Sequence, residues 1–276
     1  MNEASLSASS RGTLKEATAF FRRRSLVILL AALTLVTLNA FASGFLEFDF
    51  VRTVLDIPSG LTWMFSNFIP STASLQKLPV IAQQLAATVL ISLAASCTAA
   101  VLALIFAVLG SRSVGLKGPI PVIVRAIASL FRNIPTVAWA LILLFSFKQS
   151  EFTGFLALFL TSFGYLTRCF LESIDEVSGG AVEALRSTGA TYGQLIAQAV
   201  IPLCATVVLS WVLYMIETNV RDATLIGILT GTGIGFVFDL YYKSFQYDIA
   251  ALVILAIVIV VIALELTSNF IRRVIL

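Results

Sequence analysis

Long apolar runs separated by short charged segments dominate the sequence. Six uncharged stretches are long enough, alone or with their flanks, to form membrane-spanning helices: 25–41, 78–111, 133–147, 152–167, 203–216 and 249–264. A bilayer core needs about 20 mostly apolar residues per helix, so the pattern predicts about six spans. A further uncharged stretch, 223–238, contains four glycines. It is predicted to turn rather than to span, and a re-entrant segment stays open as the alternative.

Composition agrees with this pattern. The chain has 276 residues, of which 59% are hydrophobic and 12% charged. Soluble domains carry about 25% charged residues, so the sequence predicts an all-α integral membrane protein. Histidine is absent, which excludes imidazole-based triads and zinc sites. The three cysteines form no CxxC pair, and neither a disulfide framework nor a metal site is expected.

The distribution of lysine and arginine predicts the orientation. Basic residues concentrate in the cytoplasmic connections of membrane proteins. A six-span arrangement with both termini cytoplasmic places 13 basic residues inside: Arg11, Lys15, Arg22, Arg23, Arg24, Arg112, Lys117, Arg125, Arg132, Arg168, Arg186, Arg272 and Arg273. It places 5 outside: Arg52, Lys77, Lys148, Arg221 and Lys243. The net charge of +3 is too small to indicate nucleic-acid binding.

The chain reads as one membrane domain, 25–276, behind a cytoplasmic N-terminal tail, 1–24. The basic run before the first apolar stretch, followed by Ala40-Phe41-Ala42, also fits a cleavable signal peptide. An uncleaved first span is favoured, because at least five further spans follow. Between the first two spans, 44–77 mixes apolar and charged residues and predicts a helix lying at the membrane surface.

The longest predicted cytoplasmic loop, about 171–200, is not a simple linker. Gly179-Gly180 breaks the preceding segment, 181–187 reads as a short helix that ends at Gly189, and 192–200 begins a second helix. Small residues permit close backbone approach. The loop therefore reads either as a knob that fits a groove of another protein or as a plain surface hairpin.

Four residues of this loop and the following span match a known motif. Glu183, Ala184, Gly189 and Pro202 resemble the EAA loop of permeases of ATP-binding cassette (ABC) importers, which runs Glu-Ala-Ala, Gly and Ile-x-Leu-Pro. Leu185 stands for the second Ala, and two other motif positions hold different apolar residues. The resemblance implies a type I, methionine-permease-like fold. It also implies that this coupling loop docks on a cytoplasmic ATPase subunit.

A second resemblance concerns the substrate. The stretch Glu217-Thr-Asn-Val-Arg221 and the glycine-rich run after it are similar to phosphonate transport permeases, and the recognisable region covers roughly 80–276. The resemblance implies translocation of phosphonate or a related phosphorus oxyanion.

Physical chemistry allows two readings of the same stretch, which is expected to close the fifth span or to line the cavity beyond it. Glu217 and Arg221 stand at i and i+4, the favourable orientation for a helical ion pair. Ionisable residues at membrane depth also commonly face a wet cavity, and the arginine fork matches oxyanion geometry. Glu217, Asn219 and Arg221 are therefore candidate translocation-pathway residues, with a helix-locking ion pair as the alternative.

The glycine-rich run itself predicts a turn rather than a nucleotide site. Gly231, Gly233 and Gly235 lack the GxGxxG spacing, and no GxxxxGK[ST] occurs in the chain. They are expected to bend the backbone at the outer mouth of the pathway. ATP and Mg²⁺ are accordingly expected on a partner ATPase, with no cofactor or metal in this chain.

Together the resemblances imply a non-enzymatic transport subunit of a bacterial cytoplasmic membrane. Its expected partners are a second permease copy or paralogue, two cytoplasmic ATPase subunits, an external substrate-binding protein and membrane lipid. Two alternatives stay open: an ABC permease for another small solute such as an amino acid, and an ion-coupled secondary transporter.

Overall fold

The computed structural model describes residues 3–45 and 49–275, and all regular secondary structure in these ranges is helical. The helices are α1 (Glu3–Phe45), α2 (Phe50–Asn67), α3 (Leu78–Gly110), α4 (Ile120–Asn133), α5 (Thr136–Phe147), α6 (Glu151–Val177), α7 (Gly179–Ser187), α8 (Tyr192–Leu195), α9 (Ile201–Thr230), α10 (Gly233–Lys243) and α11 (Tyr247–Ile275). A 3₁₀ turn (Ser74–Lys77) precedes α3, and a π-helical segment (Ile196–Val200) joins α8 to α9. In the described ranges, five helical segments are long and apolar enough to cross a membrane, or six if α4 and α5 form one bent span. The predicted all-α membrane class is confirmed.

The chain forms two compact units, Met1–Ser66 and Asn67–Leu276. In the first unit, α1 runs without interruption from the predicted tail into the first apolar stretch. Its candidate membrane span is Phe21–Phe45. α2 occupies most of the 44–77 segment in which a surface helix was expected. Residues 1–2 of the predicted tail, residues 46–48 of that segment and residue 276 lie outside the described residues.

In the second unit, α6 is the central helix and packs against α3, α4, α5 and α9. Small residues explain the close packing. A Cβ at Gly164 would lie 2.6 Å from the backbone nitrogen of Arg132, so α4 can approach α6 only because this position lacks a side chain. The largest buried cluster includes Phe170 and Ile174 of α6 together with Val182, Leu195 and Val200 from the coupling loop. The coupling loop is thus packed into the core along one side.

The third span is broken, which corrects the expectation of a continuous helix over 133–147. The axes of α4 and α5 differ by 91°. Proline disfavours helical geometry in the residue before it, and Ile134, before Pro135, is extended at φ −91° and ψ 120°. α5 has 12 residues, which at 1.5 Å per residue give a length of about 18 Å. It is too short to cross a bilayer core alone.

The fifth span also differs from expectation. α9 continues to Thr230, so Glu217 lies inside the helix and not at its end. The helix ends at Gly231, whose φ of 67° and ψ of 31° are left-handed, and Gly233 also has a positive φ of 63°. Gly235 lies in α10, and its Cα is 3.2 Å from the position of a Cβ on Gly227. The chain therefore turns at Gly231–Gly233, and α10 packs back against the last turns of α9.

Candidate translocation site and coupling loop

Glu217 of α9 is the centre of a three-residue charge cluster. Arg221 donates a hydrogen bond to Oε1 of Glu217 through Nη2, and Nη2 of Arg272 in α11 lies 3.8 Å from Oε2. The Glu217 side chain is 13% exposed, whereas that of Arg221 is 49% exposed. The cluster holds one carboxylate and two guanidinium groups, and it therefore keeps one excess positive charge. Sequence spacing indicated the Glu217–Arg221 pair but gave no signal for Arg272, which belongs to another helix.

Because Arg221 and Arg272 share the Glu217 carboxylate, the prediction that they lie on opposite sides of the membrane needs correction. Arg221 was assigned outside and Arg272 inside, yet both contact Glu217. Two groups within reach of one side chain cannot lie on opposite sides of a hydrocarbon layer about 30 Å thick. The two arginines lie at similar depth, and the opposite assignment is wrong for this pair.

Asn219 lies in a buried polar contact among three helices. Its Nδ2 donates to Oγ of Ser96 in α3 at 2.8 Å and to Oγ of Ser162 in α6 at 2.7 Å. Its backbone carbonyl accepts from Oγ of Ser92 at 3.2 Å, and the residue is 1% exposed. Because unpaired polar groups are costly in an apolar surrounding, this arrangement ties α9 to α3 and α6. A pathway role for Asn219 stays a prediction.

The next acidic residue connects α9 to the bend of the third span. Asp222 accepts a hydrogen bond of 2.9 Å at Oδ2 from Oγ1 of Thr136, the first residue of α5. Both residues line a cavity of about 270 Å³ together with Pro135, Val137 and Leu225. The break at Pro135 thus lies directly beside the stretch that carries Arg221. The sequence contains no local signal for this pairing.

Residues 171–177 of the predicted coupling loop belong to α6, and the loop itself consists of α7, a turn at Gly189 with φ 80°, and α8 continued by the π segment into α9. Gly179 and Gly180 begin α7, and the break expected at these glycines falls at Ser178 instead. Glu183, Ala184, Gly189 and Pro202 are exposed. The loop thus buries one apolar side and presents its motif residues on the other.

Arg186 of α7 makes its hydrogen bond outside its own helix. Its Nη2 donates to the backbone carbonyl of Ser113, in the connection between α3 and α4, at 3.2 Å. α7 is therefore bonded to the α3–α4 connection, and the Glu183 side chain is exposed.

The described residues contain no candidate metal site. No group of three or more His, Cys, Asp or Glu side chains in residues 3–45 and 49–275 is placed to hold a metal ion. The chemistry available in the cluster around Glu217 is electrostatic: two positively charged donor groups share one carboxylate counter-ion.

Comparison with known proteins decides the family. Residues 99–276 match the family described as binding-protein-dependent transport system inner membrane component. The chain belongs to this family. It is a multi-pass inner-membrane protein, and the expectation of a transport subunit rather than an enzyme is confirmed by the family.

Curated relatives carry names from phosphorus-compound transport. The phosphate-import permease PhnE of Mycolicibacterium smegmatis is 27% identical over 187 residues, which are 68% of this chain and 35% of that protein. The phosphite transport system permease PtxC of Stutzerimonas stutzeri is 28% identical over 186 residues, which are 67% of this chain and 68% of that protein. The chain thus matches about a third of the length of the first relative. These names support the resemblance to phosphonate permeases.

A solved structure shows the same fold. The inward-facing MetNI methionine ABC transporter superposes with a TM-score of 0.66 and 18% identity, over 73% of this chain and 98% of that chain. The type I permease fold is therefore confirmed by structure as well as by sequence.

Proposed function

We propose that this chain is the transmembrane permease subunit of an ABC importer that carries phosphonate or a related phosphorus oxyanion across the cytoplasmic membrane. The observation that supports the substrate class is the half-exposed Arg221, which is paired with Glu217 and directly precedes Asp222, a lining residue of the cavity at the third-span bend. The named functions of the two relatives, phosphate import and phosphite transport, point to the same class of anion.

The charge cluster suggests how such an anion passes. Without substrate, Glu217 accepts one hydrogen bond from Arg221 and lies near Arg272. A phosphorus oxyanion offers acceptor oxygens that match the planar guanidinium fork. Arg221 is the more exposed of the two arginines, so it exchanges Glu217 for the anion, while Arg272 keeps the carboxylate in place. Return of Glu217 to Arg221 then releases the anion.

The proposed partners follow from the family and the coupling loop. A second permease copy or paralogue completes the pathway, and an external binding protein delivers substrate. Two ATPase subunits bind ATP and Mg²⁺ and dock on the exposed side of α7, where Glu183 and Ala184 lie. The chain itself does no covalent chemistry, and it moves in response to the ATPase.

The test is to co-express the chain with an ATPase and a binding protein from neighbouring genes and to purify the complex into nanodiscs. ATP hydrolysis is then measured with the binding protein plus methylphosphonate, phosphite, phosphate or methionine. We expect a phosphorus oxyanion to raise ATP turnover several-fold. Ala184→Trp should abolish ATPase association through steric overlap at the docking surface, whereas Ala184→Ser, which stays small, should not.

Each contrary outcome excludes a different part of the proposal. Stimulation by methionine alone would replace the substrate class but keep the importer. Failure of any ATPase to associate would contradict the ABC assignment. Ion-gradient-driven uptake in vesicles that lack an ATPase would indicate a secondary transporter.

A further inference from the structure

The carboxylate of Asp175, near the end of α6, accepts several hydrogen bonds from the α3–α4 connection and from α4. Oδ1 of Asp175 accepts hydrogen bonds from Oγ of Ser111 at 2.7 Å and from the backbone nitrogens of Arg112 at 2.6 Å and Ser113 at 3.3 Å. Oγ of Ser113 is also 3.3 Å from this oxygen. The other oxygen, Oδ2, accepts from Nη2 of Arg125 in α4 at 3.3 Å. Asp175 precedes the EAA-like motif, which runs from Glu183 to Pro202.

These contacts join α6 to two consecutive elements, the α3–α4 connection and α4, whose bonded residues lie 50 to 64 positions earlier in the chain. Asp175 holds the connection between α3 and α4 through Ser111, Arg112 and Ser113, and it holds α4 through Arg125. Charge-assisted hydrogen bonds to carboxylates are about twice as strong as neutral ones. The Asp175 side chain is 22% exposed, so water competes only partly for these bonds.

The coupling loop also contacts the α3–α4 connection. Arg186 of α7 donates to the carbonyl of Ser113 at 3.2 Å, and Oγ of Ser178, at the start of α7, is 3.4 Å from Oγ of Ser113. Val182 of α7 and Val114 belong to one buried cluster. A displacement of α7 therefore acts on residues 111–114 by hydrogen bonds and by packing together.

α4 extends this connection to the candidate translocation site. From Arg125 the helix continues to Asn133, bends at Pro135 and reaches Thr136, which is bonded to Asp222 beside Arg221. α4 has a fixed contact at Arg125, and Thr136, the first helical residue after the bend, has a second one, so a displacement of α4 can reach Asp222, although proximity alone does not demonstrate coupling.

We propose that Asp175 is the positioning residue that transmits movement of α7 to the broken third span, and that it thereby sets how tightly ATP hydrolysis is coupled to transport. This inference rests on the proposed function, since it requires an ATPase that docks on α7. Asp175 touches neither substrate nor ATPase, and it acts by holding residues 111–113 and Arg125 to the end of α6.

The test compares Asp175→Asn with wild type in the complete importer, reconstituted in proteoliposomes with the ATPase and binding protein. The quantity measured is methylphosphonate transported per ATP hydrolysed. Asn keeps the volume and one acceptor oxygen but loses the charge that holds Arg125. We expect assembly and ligand-stimulated hydrolysis to persist while the ratio falls about tenfold, the effect of losing one hydrogen bond to a charged group. Glu176→Gln, at the neighbouring exposed carboxylate, should leave the ratio unchanged.

A purely structural role predicts a different result. Hydrolysis and transport would then fall in parallel at a constant ratio, and this outcome would overturn the inference. If Asp175→Asn does not assemble, Arg125→Gln decides, because it removes the link from Asp175 to α4 and the Arg125 bond to the Gly110 carbonyl but keeps the Asp175 bonds to residues 111–113. A lowered ratio in that variant supports the inference, and a normal ratio overturns it.

A measurement on the permease alone separates this inference from the proposed function. The backbone amides of Arg112 and Ser113 donate to Asp175. In the Asp175→Asn permease in nanodiscs, their hydrogens should exchange with deuterium about tenfold faster than in wild type. Unchanged exchange would show that Asp175 does not hold the connection. A wild-type complex whose ATP hydrolysis ignores every ligand overturns the proposed function and the coupling role together. A responsive wild type with unchanged ratios in both variants overturns the coupling role alone.

Discussion

Arg272, in the last turns of α11, lies 3.8 Å from the Glu217 carboxylate in α9, which also accepts a hydrogen bond from Arg221. Nε of Arg272 is buried without a hydrogen-bond partner, so this guanidinium depends on its Nη groups and on the nearby carboxylate. One acidic side chain therefore partly neutralises two basic ones, Arg221 in its own helix and Arg272 in α11.

Glu217→Gln should destabilise the permease. The substitution keeps the shape but leaves two guanidinium groups without their counter-ion, at a cost of about 1–3 kcal/mol for the lost charged contacts. The thermal midpoint of the purified permease in detergent should fall. The double variant Glu217→Gln/Arg272→Gln should recover part of this loss, because it also removes one uncompensated charge. An unchanged midpoint in the single variant would contradict the structural importance of the cluster.

Arg221→Ala should reduce uptake with little effect on assembly. Loss of a charged hydrogen-bond donor to an oxyanion corresponds to about a tenfold decrease in transport rate. Complex formation and basal ATP hydrolysis should stay at wild-type levels. Arg273→Ala removes an exposed arginine at the end of α11 and is the matched control. If Arg221→Ala instead prevented assembly, the arginine would serve as a helix-locking ion pair and not as a substrate contact.

Asn219→Ala should loosen the packing of α9 against α3 and α6. It removes two side-chain hydrogen bonds between helices and leaves the buried hydroxyls of Ser96 and Ser162 without this donor. Such bonds contribute about 0.6–1.7 kcal/mol each in membrane proteins, so a clear decrease in thermal midpoint is expected. Thr218→Ala, whose hydroxyl bonds only within its own helix, should have a much smaller effect. Equal midpoints for the two variants would exclude the proposed interhelical role.

Gly235→Ala should displace α10 from α9. A methyl group at this position would overlap the carbonyl oxygen of Thr224 and lie 2.9 Å from the nitrogen of Ile228. These are backbone atoms that cannot rotate away, and overpacking of this kind costs about 1–3 kcal/mol or more. Gly231→Asn should be much milder, since Asn tolerates the left-handed conformation and a Cβ there comes no closer than 3.5 Å to Gln149. Proteolytic sensitivity of α10 in nanodiscs would distinguish the two variants.

Features that depend on local sequence were predictable. Apolar runs located the spans, because each must be long and uncharged to cross the bilayer. The turn around Gly189 and the short helix before it followed from local glycine and helix preferences, and the Glu217–Arg221 pair followed from helical spacing. Relatedness to phosphorus-compound permeases rested on one short stretch, 217–221, and the glycine-rich run after it.

Features that depend on which helices become neighbours were not predictable from a single sequence. Arg272 reaches Glu217 only because α11 packs beside α9, and Asp175 reaches Arg125 only because α6 lies against α4. The extension of α9 to Thr230 has a related cause. Gly227 is unfavourable in an isolated helix, but here it gives α10 room to approach.

The most direct test of the transport assignment is ATP-dependent accumulation of labelled methylphosphonate in proteoliposomes that contain this chain, its ATPase and the external binding protein. The account predicts accumulation against a gradient that requires both ATP and the binding protein and that falls about tenfold in Arg221→Ala. Accumulation of an amino acid with no transport of methylphosphonate, phosphite or phosphate would contradict the phosphorus-oxyanion assignment. Accumulation without the ATPase would contradict the importer itself.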